Sequence, residues 1–177
     1  RFIFGLGVGG EFEAEFDACG VPVKERGARL TEAIEVMRLL WTGEPCHFEG
    51  KFCRLDGAQM SPTPFTSGGP PIWCGARKPV ALERIGRMAD GWMSYAVTPE
   101  QYAAGLERIA GVATSVGRQM DHFATSHLLF TRFAPSREEA LEVATAQLSA
   151  RYAMDFEGPA RRYAALGTAD DIAATIC

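Results

Sequence analysis

Apolar positions along the chain fall into two patterns. Between Lys24 and Thr42, Leu30, Ala33, Ile34, Met37, Leu40 and Trp41 recur at helical spacing, which predicts one amphipathic helix ending at Gly43. Elsewhere short unbroken apolar runs, bounded by glycine and proline, predict buried strands. Arg1 to Val8, with Phe2-Ile3-Phe4, is the first, and it runs into Gly5, Gly7, Gly9 and Gly10. A short helix follows at Glu11 to Cys19, with Phe12 and Phe16 on one face, ended by Gly20 and Pro22. Cys46 to Leu55 predicts a hairpin turning at Glu49-Gly50, and the prolines and glycines from Pro62 to Pro71 predict a long rigid loop.

From there strand and helix alternate. Ile72-Trp73-Cys74 leads to a helix with Pro79 in its first turn, which turns Leu82, Ile85 and Met88 inward and closes at Asp90-Gly91. Trp92 to Ala96 leads to the capping box Thr98-Pro99-Glu100-Gln101 and a helix carrying Tyr102, Leu106, Ile109, Ala113 and Val116 to Gly117. His127 to Phe133 leads to a second capping box, Ser136 to Glu139, and a helix reaching about Asp155. Connections this short imply parallel strands with right-handed crossovers, an α/β fold. Four strand-helix units are about half of a (β/α)8 barrel. The order of elements alone leaves a partial barrel and an open doubly wound sheet both standing.

Composition narrows the classes. The 177 residues are 47% apolar and 23% charged, enough for one globular domain with a real core. Eighteen basic and 22 acidic side chains give a net charge of −4 with no basic stripe, so a nucleic-acid partner is not expected. No apolar run has the length of a membrane span. The five cysteines show no C-x-x-C spacing and the three histidines no ligand spacing, so no metal site is expected, and a reduced, cytoplasmic setting is. A hairpin turning at Glu49-Gly50 would place Cys46 opposite Cys53, where a cross-strand disulfide is geometrically conceivable but a reduced pair is the stronger expectation in the cytosol.

Three segments are candidates for chemistry. Gly5-Leu6-Gly7-Val8-Gly9-Gly10 formally satisfies G-x-G-x-x-G after a strand. Glu11, Glu13, Glu15 and Asp17 follow where a pyrophosphate would sit, which weakens the dinucleotide reading and leaves a glycine loop that lets backbone pass close to a guest. Glu11 and Glu15 stand just beyond a strand's carboxyl end, where barrel enzymes place working groups, although acidic side chains also simply favour a helix start. Gly75-Ala76-Arg77-Lys78-Pro79 is the stronger signal. It joins a buried strand to a helix N-terminus, and cations there are unfavourable unless an anion, most naturally phosphate, offsets them.

Taken together, Arg1-Phe2-Ile3-Phe4-Gly5-Leu6-Gly7-Val8-Gly9, Glu15-Phe16, Gly20-Val21-Pro22, Arg29, Glu32, Arg38-Leu39-Leu40-Trp41-Thr42-Gly43, Phe48-Glu49-Gly50-Lys51-Phe52, Pro70-Pro71-Ile72-Trp73-Cys74-Gly75, Arg87-Met88-Ala89-Asp90-Gly91-Trp92 and Gly167-Thr168 with Asp170-Asp171 resemble the bacterial luciferase-like flavin-dependent oxidoreductases. The likeness is greatest to their deazaflavin-using branch. The resemblance implies residues 1–177 as a single (β/α)8 barrel domain cut at both ends, spanning about strands 4 to 7, with the hairpin as part of the family's insertion. It implies FMN or coenzyme F420 as cofactor, a small organic substrate, oxygen incorporation or hydride transfer, and room for a homodimer. Gly75, Ala76, Arg77 and Lys78 would hold the cofactor phosphate, with Gly7 and Gly9 beside them, and Glu11 loosely matches a glutamate acting as acid in some deazaflavin enzymes. A flavin-binding relative without turnover and another phosphate-binding barrel, such as a lyase or isomerase, are the rival readings.

Overall fold

The computed structural model describes residues 2–10 and 12–176. Strands β1 (Phe4–Leu6), β4 (Ile72–Gly75), β5 (Gly91–Tyr95) and β6 (Ala124–Leu128) form one sheet in the order β1-β4-β5-β6, every pair parallel. Helices α2 (Arg26–Leu40), α3 (Pro79–Met88) and α4 (Pro99–Ser115) supply the crossovers, as the 3.6-residue periodicity requires. Ile72, Cys74 and Trp92 on one face meet Ile34, Leu82, Ile85 and Ile109 from the helices, and this is the main core. The opposite face carries Met93 and Tyr95, each 37% exposed.

Hairpin β2 (Cys46–Glu49) and β3 (Arg54–Ala58) lies outside that sheet. Buried Glu32 of α2 accepts the Phe52 amide at 2.8 Å, and Gly50 packs directly on the same carboxylate, which ties the turn to the helix. The turn therefore spans residues 50–53, closed by Gly50 N–H to Cys53 C=O. Cys46 pairs with Ala58, not Cys53, and both thiols are free.

Further differences from expectation have local causes. Phe2 and Ile3 precede β1 and are 66% and 50% exposed, because pairing with β4 begins only at Phe4. The helix foreseen over 11–19 is α1 (Glu13–Ala18). The strand foreseen over 127–133 is two: β6 pairs with β5, β7 (Phe130–Phe133) pairs with β8 (Ala164–Gly167), and the chain changes partner at Leu129. Helices α5 (Arg137–Tyr152), α6 (Glu157–Tyr163) and α7 (Ala169–Ile176) surround that second parallel pair. The Thr98 capping box forms completely, whereas Ser136 caps α5 through Glu139 N–H without the reciprocal bond.

Candidate functional site

The carboxyl ends of parallel strands are where loops meet helix N-termini, and free amides there favour anions. At the ends of β1, β4 and β5 lies a cavity of about 390 Å³. Its floor is the Gly75 to Lys78 loop. Trp92, buried and stacked on Tyr102 with centroids 4.9 Å apart, donates its indole N–H to the Ala76 carbonyl at 2.9 Å and holds that loop from behind. Ala76 N–H reaches the Met93 carbonyl at 3.4 Å. Lys78 is the N-cap of α3 in extended backbone and Pro79 its first residue, with no acidic side chain in the first turn. Among the described residues the amides of Arg77, Lys78 and Val80 donate to no acceptor. The Arg77 guanidinium lies 5.4 Å from the centroid of the Tyr95 ring.

Arg84 forms the back of the cavity. It is 8% exposed, and its Nε donates to Thr31 Oγ1 at 2.8 Å. Thr31 Oγ1 in turn donates to the Gly27 carbonyl, and a β-carbon at Gly27 would stand 2.9 Å from the Arg84 Nη2, so glycine leaves the guanidinium its space. Among the described residues no carboxylate pairs with Arg84. Burial pulls its pKa below the ordinary arginine value, with Cys74 acting the other way. A buried cation without a counter-charge costs several kcal/mol, and a bound anion removes that cost.

The facing wall comes from the 3-10 turn Val23–Glu25 and the start of α2, which bring Lys24 and Arg26. Arg26 donates to the Gly10 carbonyl at 3.0 Å, and its guanidinium lies 5.6 Å from the centroid of the Phe16 ring. The first turn of α2, like that of α3, has no acidic residue. Lys24, Arg26, Arg77, Lys78 and Arg84 thus surround one cavity that no described carboxylate lines. A larger cavity of about 630 Å³ between α5, α6 and β8 differs in kind: Arg137 and Arg161 share it with Glu138, Glu142 and Glu157, so its charge is answered internally.

Of the residues expected from the sequence, Gly9, Gly75, Ala76, Arg77 and Lys78 converge on this cavity; Gly7 lies on the same loop, two residues before Gly9, but does not line the cavity. Gly75 has ordinary space for a β-carbon, the nearest atom being Leu6 O at 3.7 Å. Glu11 lies outside the described residues, and Glu15 is exposed on α1. Arg84, Lys24, Arg26 and Tyr95 had not been singled out. The signal for Arg84 was present: it occupies the same stripe of α3 as Ala81, Ile85 and Met88, where a cation interrupts an apolar face.

The profile of the luciferase-like monooxygenase family matches residues 1–175. The chain belongs to this family. An F420-dependent glucose-6-phosphate dehydrogenase of Nakamurella multipartita is 32% identical over 145 residues, which cover 80% of this chain and 42% of that protein. A phthiodiolone/phenolphthiodiolone dimycocerosates ketoreductase of Mycobacterium bovis is 32% identical over 156 residues, 85% of this chain and 40% of that one. Among solved structures, an F420-dependent secondary alcohol dehydrogenase in complex with an F420-acetone adduct superposes with a TM-score of 0.80 at 18% identity, over 97% of this chain and 58% of the other. The monooxygenase RslO1 from Streptomyces bottropensis gives 0.74 at 25% identity, over 97% and 55%. The chain therefore spans about two fifths of the length of these curated relatives. The parallel sheet and its helices are part of a luciferase-like (β/α)8 barrel, which decides against the open doubly wound sheet.

Proposed function

We propose that this chain supplies the phosphate-holding side of a luciferase-like oxidoreductase that uses FMN or coenzyme F420 on a small organic substrate. The observation that carries the reading is Arg84, a buried guanidinium at the back of a cation-lined cavity with no carboxylate among the described residues to answer it. The donor set fits a phosphate group: guanidinium groups for bidentate contact, an ammonium, and backbone amides at a helix start. The F420-dependent relatives favour the deazaflavin, and the family includes monooxygenases, so both cofactors belong to the proposal.

When bound, the cofactor supplies hydride transfer if it is the deazaflavin and oxygen activation if it is reduced FMN. The protein's part here is positional. Trp92 and α3 fix the loop that meets the phosphate, Arg77 and Arg84 hold its charge, and Tyr95 stands where β5 enters the cavity. Glu11, outside the described residues, is assigned no step.

The test is a pair of titrations on the full-length protein at fixed salt. Arg77→Ala should weaken FMN or F420 binding by about 1.5–3 kcal/mol, the range for a hydrogen bond to a charged group, and leave riboflavin or the phosphate-free deazaflavin unchanged. Equal losses for phosphorylated and unphosphorylated ligands would place the phosphate elsewhere.

A further inference from the structure

Charge changes abruptly at Tyr95. This residue lines the cation-rich cavity, yet the sheet face it stands on carries no charge at all. On that face, away from the helices, alternation puts Trp73 on β4, Gly91, Met93 and Tyr95 on β5, and Ser126 and Leu128 on β6. Cross-strand register sorts them into layers from the amino to the carboxyl end: Trp73 beside Gly91, Met93 beside Ser126, Tyr95 beside Leu128. A β-carbon at Gly91 would stand 2.6 Å from the Trp73 ring, so an aromatic ring already fills the lowest layer. Barrel interiors are packed in such layers, and the carboxyl-end layer is the one a substrate reaches.

Here that layer is Tyr95, 37% exposed, and Leu128, 46% exposed, with Met93 beneath them. The Ser126 hydroxyl is sealed from contact, which leaves the Tyr95 phenol as the polar group this wall presents. A phenol suits a neutral oxygen. An anion on this wall would give up water against Leu128 and Met93 with no cation of the same face to answer it. Arg77, whose guanidinium lies by the Tyr95 ring, belongs to the phosphate loop on the cavity side. The end of α6 approaches the loop after β5, where Tyr163 shares a small cavity with Ala96 and Val97, but its cations are engaged: Arg161 pairs with Glu157 at 2.9 Å, and Arg162 lies over the Tyr163 ring.

We propose, resting on the luciferase-like oxidoreductase reading above, that the substrate is an uncharged, mainly apolar ketone or alcohol. Its chain lies against Leu128 and Met93, and its oxygen meets the Tyr95 hydroxyl. The same wall disfavours keto acids and sugar phosphates.

The experiment uses the full-length protein loaded with oxidised F420 or FMN. A ketone has no hydride to give an oxidised cofactor, so binding is read without turnover, from the change in cofactor absorbance and fluorescence at fixed salt. The probes are the straight-chain methyl ketones from butanone to octanone and the keto acids of the same carbon number, from oxobutanoate to oxo-octanoate. Each added methylene should tighten the ketones about two- to fourfold, the scale of a buried methylene, and each keto acid should bind at least about tenfold more weakly than its ketone. Tyr95→Phe should weaken every ketone about fivefold, the scale of one hydrogen bond. Leu128→Ala should shrink the gain per methylene, and Leu128→Lys should reverse the order of ketone and keto acid. Keto acids that bind wild-type protein as tightly as the ketones, ketone affinities that ignore chain length, or no binding of any probe to the loaded protein would each overturn the inference. Indifference of both Leu128 variants to chain length and charge would overturn it too. Failure of the protein to take up either cofactor would instead remove the reading on which it rests, and the inference with it.

Discussion

The two ends of the parallel sheet use the same residue type to opposite ends. At the amino end, Asp90 accepts from Arg38 at 2.8 Å, from Arg118 at 3.2 Å and from the Ile72 amide at 2.8 Å, so two guanidinium groups and the first amide of β4 converge on one carboxylate. Burial pulls the Arg118 pKa down, and Asp90 acts against it. At the carboxyl end Arg84 is buried more deeply and, among the described residues, hydrogen-bonds a hydroxyl alone, while Arg77 lies by an aromatic ring. In barrel enzymes the first end carries stability and the second carries chemistry. Among the described residues the chain completes the pairing at the amino end and leaves it open at the carboxyl end.

The largest expected effect comes from breaking the closed end. Asp90→Ala strands two guanidinium groups and an amide, and should cost about 2–4 kcal/mol, somewhat less than for a fully buried cluster because the carboxylate is a third exposed. Chemical denaturation of the full-length protein reads this directly. A loss below about 0.5 kcal/mol, the scale of surface changes, would mean that the triad is not architectural.

Cys74 lies between the two ends, under the influence of Arg84, Asp90 and Arg38, and burial above all raises its pKa from 9.0 to about 11. Its folded value is the higher one, so between those limits the unfolded chain releases a proton that the native state keeps. The stability linked to Cys74 is complete below pH 9 and is lost as pH rises towards 11. Two units at 1.36 kcal/mol each make this roughly 3 kcal/mol at most. Cys74→Ala should flatten that part of the stability profile relative to wild type; parallel profiles would mean that the thiol ionises in the native state as it does when unfolded.

How far these features were legible in the sequence follows the range of the forces involved. The loop at Gly75 to Lys78, the α3 and α4 starts and the paired strands were legible because Pro79, Pro99 and the Thr98-Gln101 box act within four residues. The stretch from Asp155 to Gly167 was not, although the helix start at Thr168 was. Gly158-Pro159 reads as a loop yet opens α6, and Ala164–Gly167 carries no aromatic or β-branched residue, so β8 is a strand only because β7 and the alanines of α5 and α6 bury it. The convergence of Lys24 and Arg26 on a loop some 50 residues later is tertiary. The register of the hairpin was missed for a related reason: Glu32, from another element, holds its turn.

Whether Arg84 is an open charge awaiting an anion is read by thermal melts of full-length Arg84→Met with and without ligand. The substitution keeps an apolar stem, and Thr31 retains its bond to the Gly27 carbonyl. Without ligand the melting temperature should hold or rise, since an uncompensated buried cation has been removed. The added stability that FMN or F420 confers should fall by about 1.5–3 kcal/mol, while that from the phosphate-free analogue is unchanged. A ligand-free protein destabilised as strongly as Asp90→Ala, with phosphorylated and unphosphorylated ligands affected alike, would make Arg84 an architectural residue rather than an anion's partner.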